Sequence, residues 1–267
     1  MSRRKVGTSR KPKPETKVSL KDVVVPPGLH EQVRKNLAKV VHPDINPTAT
    51  NGEMRKINER LEKIQKIQQK STHIQFVVDS SGSMTHWRDK LVTSYNKLLE
   101  RQARFPGQST FGFKSFHKEI LPEPLTTPCY LDEIRTSGGT PLFDTIGRTI
   151  KKIDQQLDNP TDVVVIILTD GHDTGPDKTI SPEEPHYPVA ELRELVQEKL
   201  ELGWQFIYCS EGYSVSHDAE RIGIPAYATT GFDDYGKLMG KISKLLLSYR
   251  QDDIKMLTFK SIAIVSS

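Results

Sequence analysis

Cysteine is nearly absent from this chain: Cys129 and Cys209 stand alone among 267 residues. Neither has a second cysteine nearby, which excludes a CxxC redox or zinc site and leaves room for one disulfide at most. Long apolar runs are also missing. The longest, Val163 to Leu168, falls far short of the ~20 residues that cross a bilayer, so no membrane partner is expected. The charged stretch from Ser2 to Lys21 is followed by no apolar segment of the secretory type. Two reduced thiols in a cytosolic protein are therefore expected. No aromatic residue precedes Phe76, so the N-terminal segment offers no platform for stacking bases. With 35% hydrophobic residues, 17 Gly and 17 Pro, the chain is neither collagen, nor a coiled-coil rod, nor wholly disordered.

What is present is unevenly distributed. The formal net charge is +4, and residues 1 to 22 carry eight basic and two acidic side chains, which leaves −2 for the rest. This basic arm reads as a solvated, disordered tail, with contact to nucleic acid as its alternative use. Residues 23 to 70 read as two short helices. Val33, Leu37, Val40 and Val41 recur at helical spacing until Pro43 stops the first helix; Met54, Ile57, Leu61 and Ile64 form one stripe on the second.

From His73 onward strands and helices alternate. Strands are expected at Ile74 to Val78, Thr110 to Phe116, Lys118 to Leu121, Val163 to Leu168, Gln205 to Cys209 and Pro225 to Ala228. Helices are expected from Trp87 to Arg104, Leu142 to Leu157, Val189 to Leu202 and Asp234 to Tyr249. This alternation implies an α/β fold, a Rossmann-like doubly wound and mostly parallel sheet, over residues 73 to 250. A tail, 251 to 267, follows. In such sheets ligands meet the carboxyl ends of the strands, which places a site after Val78 and after Leu168.

Both of those strand ends carry an aspartate. Asp79-Ser80-Ser81-Gly82-Ser83 follows the first strand and Thr169-Asp170-Gly171 the central one; between them lies Ser137-Gly138-Gly139-Thr140-Pro141-Leu142. Two carboxylates and three hydroxyls, with no thiolate, are hard oxygen donors suited to Mg²⁺ or Mn²⁺. Alternation lets Asp79, Ser81 and Ser83 point into one loop, and Gly82 is read as permitting its tight path. The DxSxS loop, the GGTPL turn and the LTDG strand end, in this order, resemble the von Willebrand factor A family and its metal-ion-dependent adhesion site. The resemblance implies that Asp79, Ser81, Ser83, Thr140 and Asp170 hold the ion. It also implies that an exposed Asp or Glu of a protein partner completes the ion's coordination. The implied function is a non-enzymatic adaptor. The alternative from another class is a magnesium-dependent hydrolase at the same strand ends. No GxSxG elbow surrounds Ser81 or Ser83, and Leu238 stands where a phosphate loop beginning at Gly231 would need Ser or Thr. His86, His172, Asp173 and Asp177 lie near the expected rim, where they either tune docking or are ordinary polar loop residues. Trp87 and Phe143 read as core.

A second resemblance precedes the sheet. His42-Pro43-Asp44, the basic helix before it and Ile57-Asn58-Glu59 after it resemble a J-domain, the module that stimulates DnaK-type chaperones. The resemblance implies that His42, Pro43 and Asp44 contact the chaperone, with Arg34, Lys35 and Lys39 docking electrostatically. It departs from that family in its first helix, for which only Leu20 to Val25 remains, without Tyr or Phe. The adaptor would then present its partner to a DnaK-type chaperone.

Overall fold

The β-branched runs pair into one six-stranded sheet. The structure is a computed structural model and describes residues 70–105, 107–124, 128–157, 161–175, 185–211, 216–251 and 253–259, with the helical residues 55, 56, 59 and 62. His42, Pro43, Asp44, Arg34, Lys35 and Lys39 lie outside the described residues. The strands are β1 (Ser71–Val78), β2 (Gln108–Ser115), β3 (Glu119–Pro124), β4 (Asp162–Thr169), β5 (Gln205–Glu211) and β6 (Thr229–Phe232). The helices are α1 (Arg88–Ala103), α2 (Leu142–Gln156), α3 (Val189–Glu201), α4 (Ser216–Arg221) and α5 (Tyr235–Arg250). Strand order is β3-β2-β1-β4-β5-β6, with every pairing parallel except the β2–β3 hairpin. The α/β, doubly wound class expected from the alternation is the one observed.

Residues of β4 are buried on both faces and sort by parity. Val164, Ile166 and Leu168 pack with α1 and α5, whereas Val163, Val165 and Ile167 pack with α2, α3 and α4. Parallel strands covered by helices on both sides bury every side chain, which is why this strand is an unbroken apolar run. Trp87 and Phe143 are core residues, as expected. Cys129 is exposed and Cys209 buried, both as free thiols. Among the described residues no helix is long and apolar enough to cross a membrane.

Two local readings are corrected. Pro225 to Ala228 is not a strand: residues 226–228 form a short 3-10 turn, and β6 begins at Thr229 because only Thr229 to Phe232 reach ladder partners, Tyr208 to Glu211. The short helix α4 was not anticipated, since six residues hold too little periodicity to read.

At the opposite end of the sheet from the expected site, His73 is fully buried in β1. Its Nδ1 lies 2.9 Å from Thr110 Oγ1 and its Nε2 3.3 Å from Gln75 Oε1, a pattern the neutral ring satisfies with Nε2–H donating to Gln75. Burial lowers its pKa from 6.5 to about 4, against a smaller opposing effect of the Gln75 hydrogen bond. Between those two values the unfolded chain binds a proton that the folded chain refuses. Stability is therefore complete above pH 6.5 and falls as the pH descends towards 4. Urea denaturation is expected to lose about 2 kcal/mol from this residue between pH 7.5 and 5. His73→Gln should flatten that part of the profile, and an unchanged slope would count against the assignment.

Candidate metal site

Strand order reverses between β1 and β4, its two neighbours in the middle of the sheet. Crossovers leave β1 in one direction and β4 in the other, so a crevice opens beyond their carboxyl ends. Asp79 follows the last residue of β1, and its amide donates to Leu168 O on β4 at 2.8 Å. This bond extends the β1–β4 ladder by one step and holds the Asp79 backbone rigidly at the crevice floor.

The Asp79 side chain is fully buried. Its Oδ1 accepts from the Ser81 amide at 2.8 Å and its Oδ2 from the Thr169 hydroxyl at 2.6 Å. The Thr169 hydroxyl in turn accepts from the Gly171 amide at 3.1 Å. Thr169 thus orients the carboxylate from β4, a role the sequence reading missed; its only sequence signal is its place in the LTDG string. Ser81 Oγ lies 3.0 Å from Ser83 Oγ, and Ser83 Oγ donates to Asp170 Oδ1 at 2.9 Å. Four of the five expected residues therefore form one chain of contacts running from Asp79 to Asp170.

Thr140 is buried in the glycine-rich turn that opens α2. That turn is tied to the DxSxS loop by Gly82 N–H to Gly138 O, 3.2 Å, and by Ser137 N–H to Ser80 O, 3.0 Å. Gly138 adopts φ +76°, which side-chain-bearing residues rarely tolerate. Gly139 is needed for space: a Cβ there would sit 2.9 Å from Thr174 Oγ1, the atom that accepts from the Thr140 amide at 2.8 Å. Gly82 is a correction. It does not take a left-handed conformation, and a Cβ would meet only Gly138 O at 3.8 Å, so its presence is not what makes the loop tight.

Rim residues divide differently from expectation. Asp173 is an anchor: its Oδ1 accepts from the Phe143 amide at 3.0 Å, capping α2, and its Oδ2 from the Gly175 amide at 2.9 Å. Burial raises its carboxyl pKa, and these amide hydrogen bonds oppose the rise. His172 pairs through Nδ1 with buried Asp218 at 3.0 Å, and Arg221 holds the other oxygen of Asp218 at 2.9 Å. Exposed His86 sets Nδ1 2.7 Å from Ser83 O, so that nitrogen donates. Asp177 lies outside the described residues.

A third carboxylate borders the crevice. Glu211, the last residue of β5, accepts from Trp87 Nε1 at 3.0 Å and lies 3.9 Å from His86 Nε2. No sequence motif marks it; the parallel β4–β5 register brings it there. Burial raises the Asp170 carboxyl pKa. The Ser83 hydrogen bond lowers it, and the charges of Asp79 and Glu211 raise it further. Negative charge is therefore concentrated where a cation would relieve it. Among the described residues no three His, Cys, Asp or Glu side chains converge as ligands. The donor set is two carboxylates with hydroxyls, and this hard-oxygen chemistry fits a small divalent cation.

No protein-family model matches the chain, and the comparison with curated proteins found no match. Some solved structures align with part of it. The ArnB paralogue VWA2 from Sulfolobus acidocaldarius aligns with a TM-score of 0.47 and 16% identity, over 66% of this chain and 45% of that one. Proximal thread matrix protein 1 of the mussel byssus aligns at 0.45 and 15%, over 68% and 47%. The manganese-loaded TRAP protein of Plasmodium vivax aligns at 0.42 and 12%, over 65% and 72%. The aligned region spans less than half the length of the first two.

Proposed function

We propose that this chain is a non-enzymatic binding module of the von Willebrand factor A type. In this reading it grips an acidic side chain of a protein partner through a divalent cation, Mg²⁺ or Mn²⁺. One observation carries the proposal: Asp79, Ser81, Ser83 and Asp170, from two strand ends, meet in a single hydrogen-bonded chain beside the Thr140 turn. Asp79, Ser81, Ser83, Thr140 and Asp170 would hold the ion. Once bound, the cation supplies an electrophilic position that an incoming carboxylate oxygen can fill. Thr169 and the Ser81 amide keep the Asp79 carboxylate from rotating. Ser83 holds Asp170 in place from the opposite side. Hydroxyls bring no charge, so the two carboxylates can do no more than balance the cation, and its remaining coordination position is one that an anionic oxygen from outside can fill.

The arrangement does not favour hydrolysis. Ser81 Oγ contacts another hydroxyl, and Ser83 Oγ donates to a carboxylate, so among the described residues both hydroxyls pair with groups other than an imidazole that could take their proton. Presentation of the partner to a DnaK-type chaperone through His42, Pro43 and Asp44 is supported by the sequence resemblance alone.

The test is capture of partners by immobilised full-length protein, in magnesium and again in EDTA. The expected result is a partner held in magnesium and released by EDTA. That partner should be absent from an Asp79→Asn bait and weakened when its own acidic residue is replaced. The same proteins in every lane would remove the metal-adaptor reading.

A further inference from the structure

Two helices on one face of the sheet carry an excess of positive charge that the crevice does not use. α1 and α5 pack side by side and in parallel: Lys90 pairs with Asp234 at 3.8 Å near their starts, and Gln102 Nε2 donates to Ser243 O at 3.0 Å further along. Positions 90, 94, 97, 101 and 104 recur at alternating steps of four and three, so they form one stripe on the flank of α1 that meets α5. The same spacing places Lys237, Lys241 and Lys244 on the outer face of α5. Lys97, Arg101, Arg104 and these three lysines are all exposed. None of the six makes an ion pair among the described residues, whereas Lys90 does. α5 contains no acidic residue at all.

Between the two rows the floor is small. Ser94 lies on the α1 side; a Cβ on Gly236 would meet the Asp234 carboxylate, which Lys90 pairs, at 3.1 Å and Ser94 Oγ at 4.0 Å, and one on Gly240 would meet nothing within 4 Å. The result is a shallow groove with a basic rim on each side. Cations follow one another along each helix at about 4.5 to 6 Å, and packed helix axes lie ~8–10 Å apart.

We propose that this groove seats the phosphate backbone of a nucleic acid, without reading its sequence. A regular polyanion complements two regular rows of cations, which irregularly spaced carboxylates of a protein do not. A lipid surface fits less well. Among the described residues the exposed large apolar ones are Leu121, Tyr130, Leu202, Tyr227 and Met256, none of them on α1 or α5, so neither helix offers a side chain that would insert into a bilayer. The groove also presents no aromatic ring for stacking, which confines the contact to phosphates. Its charge acts beyond the basic arm of residues 1 to 22, and it is independent of the cation site.

Fluorescence anisotropy on the full chain tests this, with a labelled 24-bp duplex DNA of mixed sequence and a single-stranded RNA of equal length across a KCl series. The variant K237Q/K241Q/K244Q removes one rim but keeps the arm. Its affinity for at least one of the two polymers should fall by about 10- to 100-fold at 0.1 M salt. The slope of log K against log salt should shrink by about 2 to 3, as loss of three phosphate contacts requires. A control variant, R135Q/K151Q/R193Q, removes three exposed cations that lie outside α1 and α5 and should change affinity less than about twofold by the same contact arithmetic. Asp79→Asn should bind as wild type does. Equal losses in the two triple variants, or an unchanged slope, would overturn the proposal. So would loss of binding to phosphatidylserine vesicles with nucleic-acid affinity intact.

Discussion

Asp79→Asn is expected to lower affinity for Mg²⁺ or Mn²⁺ by about 100-fold or more, with the fold preserved. The substitution keeps the size of the side chain. Its remaining carbonyl oxygen still accepts from the Ser81 amide, at the position that Oδ1 holds 2.8 Å away. The Thr169 hydroxyl, which donates to Oδ2 at 2.6 Å, can rotate to accept from the new amide. What disappears is one of the two carboxylate charges in the donor set. In the absence of metal, repulsion with Asp170 is relieved, since the Asp79 charge helps to raise the Asp170 pKa. The metal-free variant should therefore unfold at or above the wild-type temperature. Wild type at a cation concentration of ~100 times Kd should gain roughly 2.7 kcal/mol of stability, and the variant essentially none. Calorimetric titration alongside thermal unfolding measures both quantities. Wild-type cation affinity in the variant would sink the assignment.

The second large effect concerns the clamp beneath the basic groove. Arg250, the last residue of α5, is 2% exposed. Its guanidinium donates to Gln102 O at 3.0 Å, to Gln102 Oε1 at 2.9 Å and to Phe105 O at 3.3 Å, and it lies over the Phe105 ring. Burial lowers its pKa from 12.5 to about 10, so it stays charged at neutral pH. The carbonyls it meets lie at the C-terminal end of α1, where the helix dipole favours a cation. Arg250→Met keeps much of the length and apolar packing but strips these acceptors of their donor. Buried acceptors left unpaired cost about 1–3 kcal/mol each. A total loss of roughly 3 kcal/mol corresponds to a fall in Tm of about 6–12 °C for a domain this size. Differential scanning calorimetry decides it; a change below 2 °C would mean that water replaces the guanidinium at little cost. Cation binding at Asp79 should be retained, because the clamp sits at the far ends of α1 and α5 from the crevice.

Local residue patterns were enough to read several parts of this protein before its fold was known. The unbroken run Val163 to Leu168 fixes β4 as a buried parallel strand, because only burial on both faces tolerates six apolar residues in succession. The stripes of α1, α2, α3 and α5 follow from the 3.6-residue period. Asp79, Ser81 and Ser83 were legible because their alternation and their place after a strand are both local.

Tertiary structure alone decided the rest. Thr169 holds Asp79 across 90 positions of sequence, through a pairing of β1 with β4 that no local signal encodes. Glu211 reaches the crevice only because β5 lies beside β4. Asp173, which the sequence placed at the rim, caps α2 because the loop after β4 folds back onto that helix. The basic groove exists because α1 and α5, distant in the chain, were packed in parallel with their cations outward. Periodicity shows which face of a helix is buried; it does not show which other helix lies alongside, since that is set by the order of strands in the sheet.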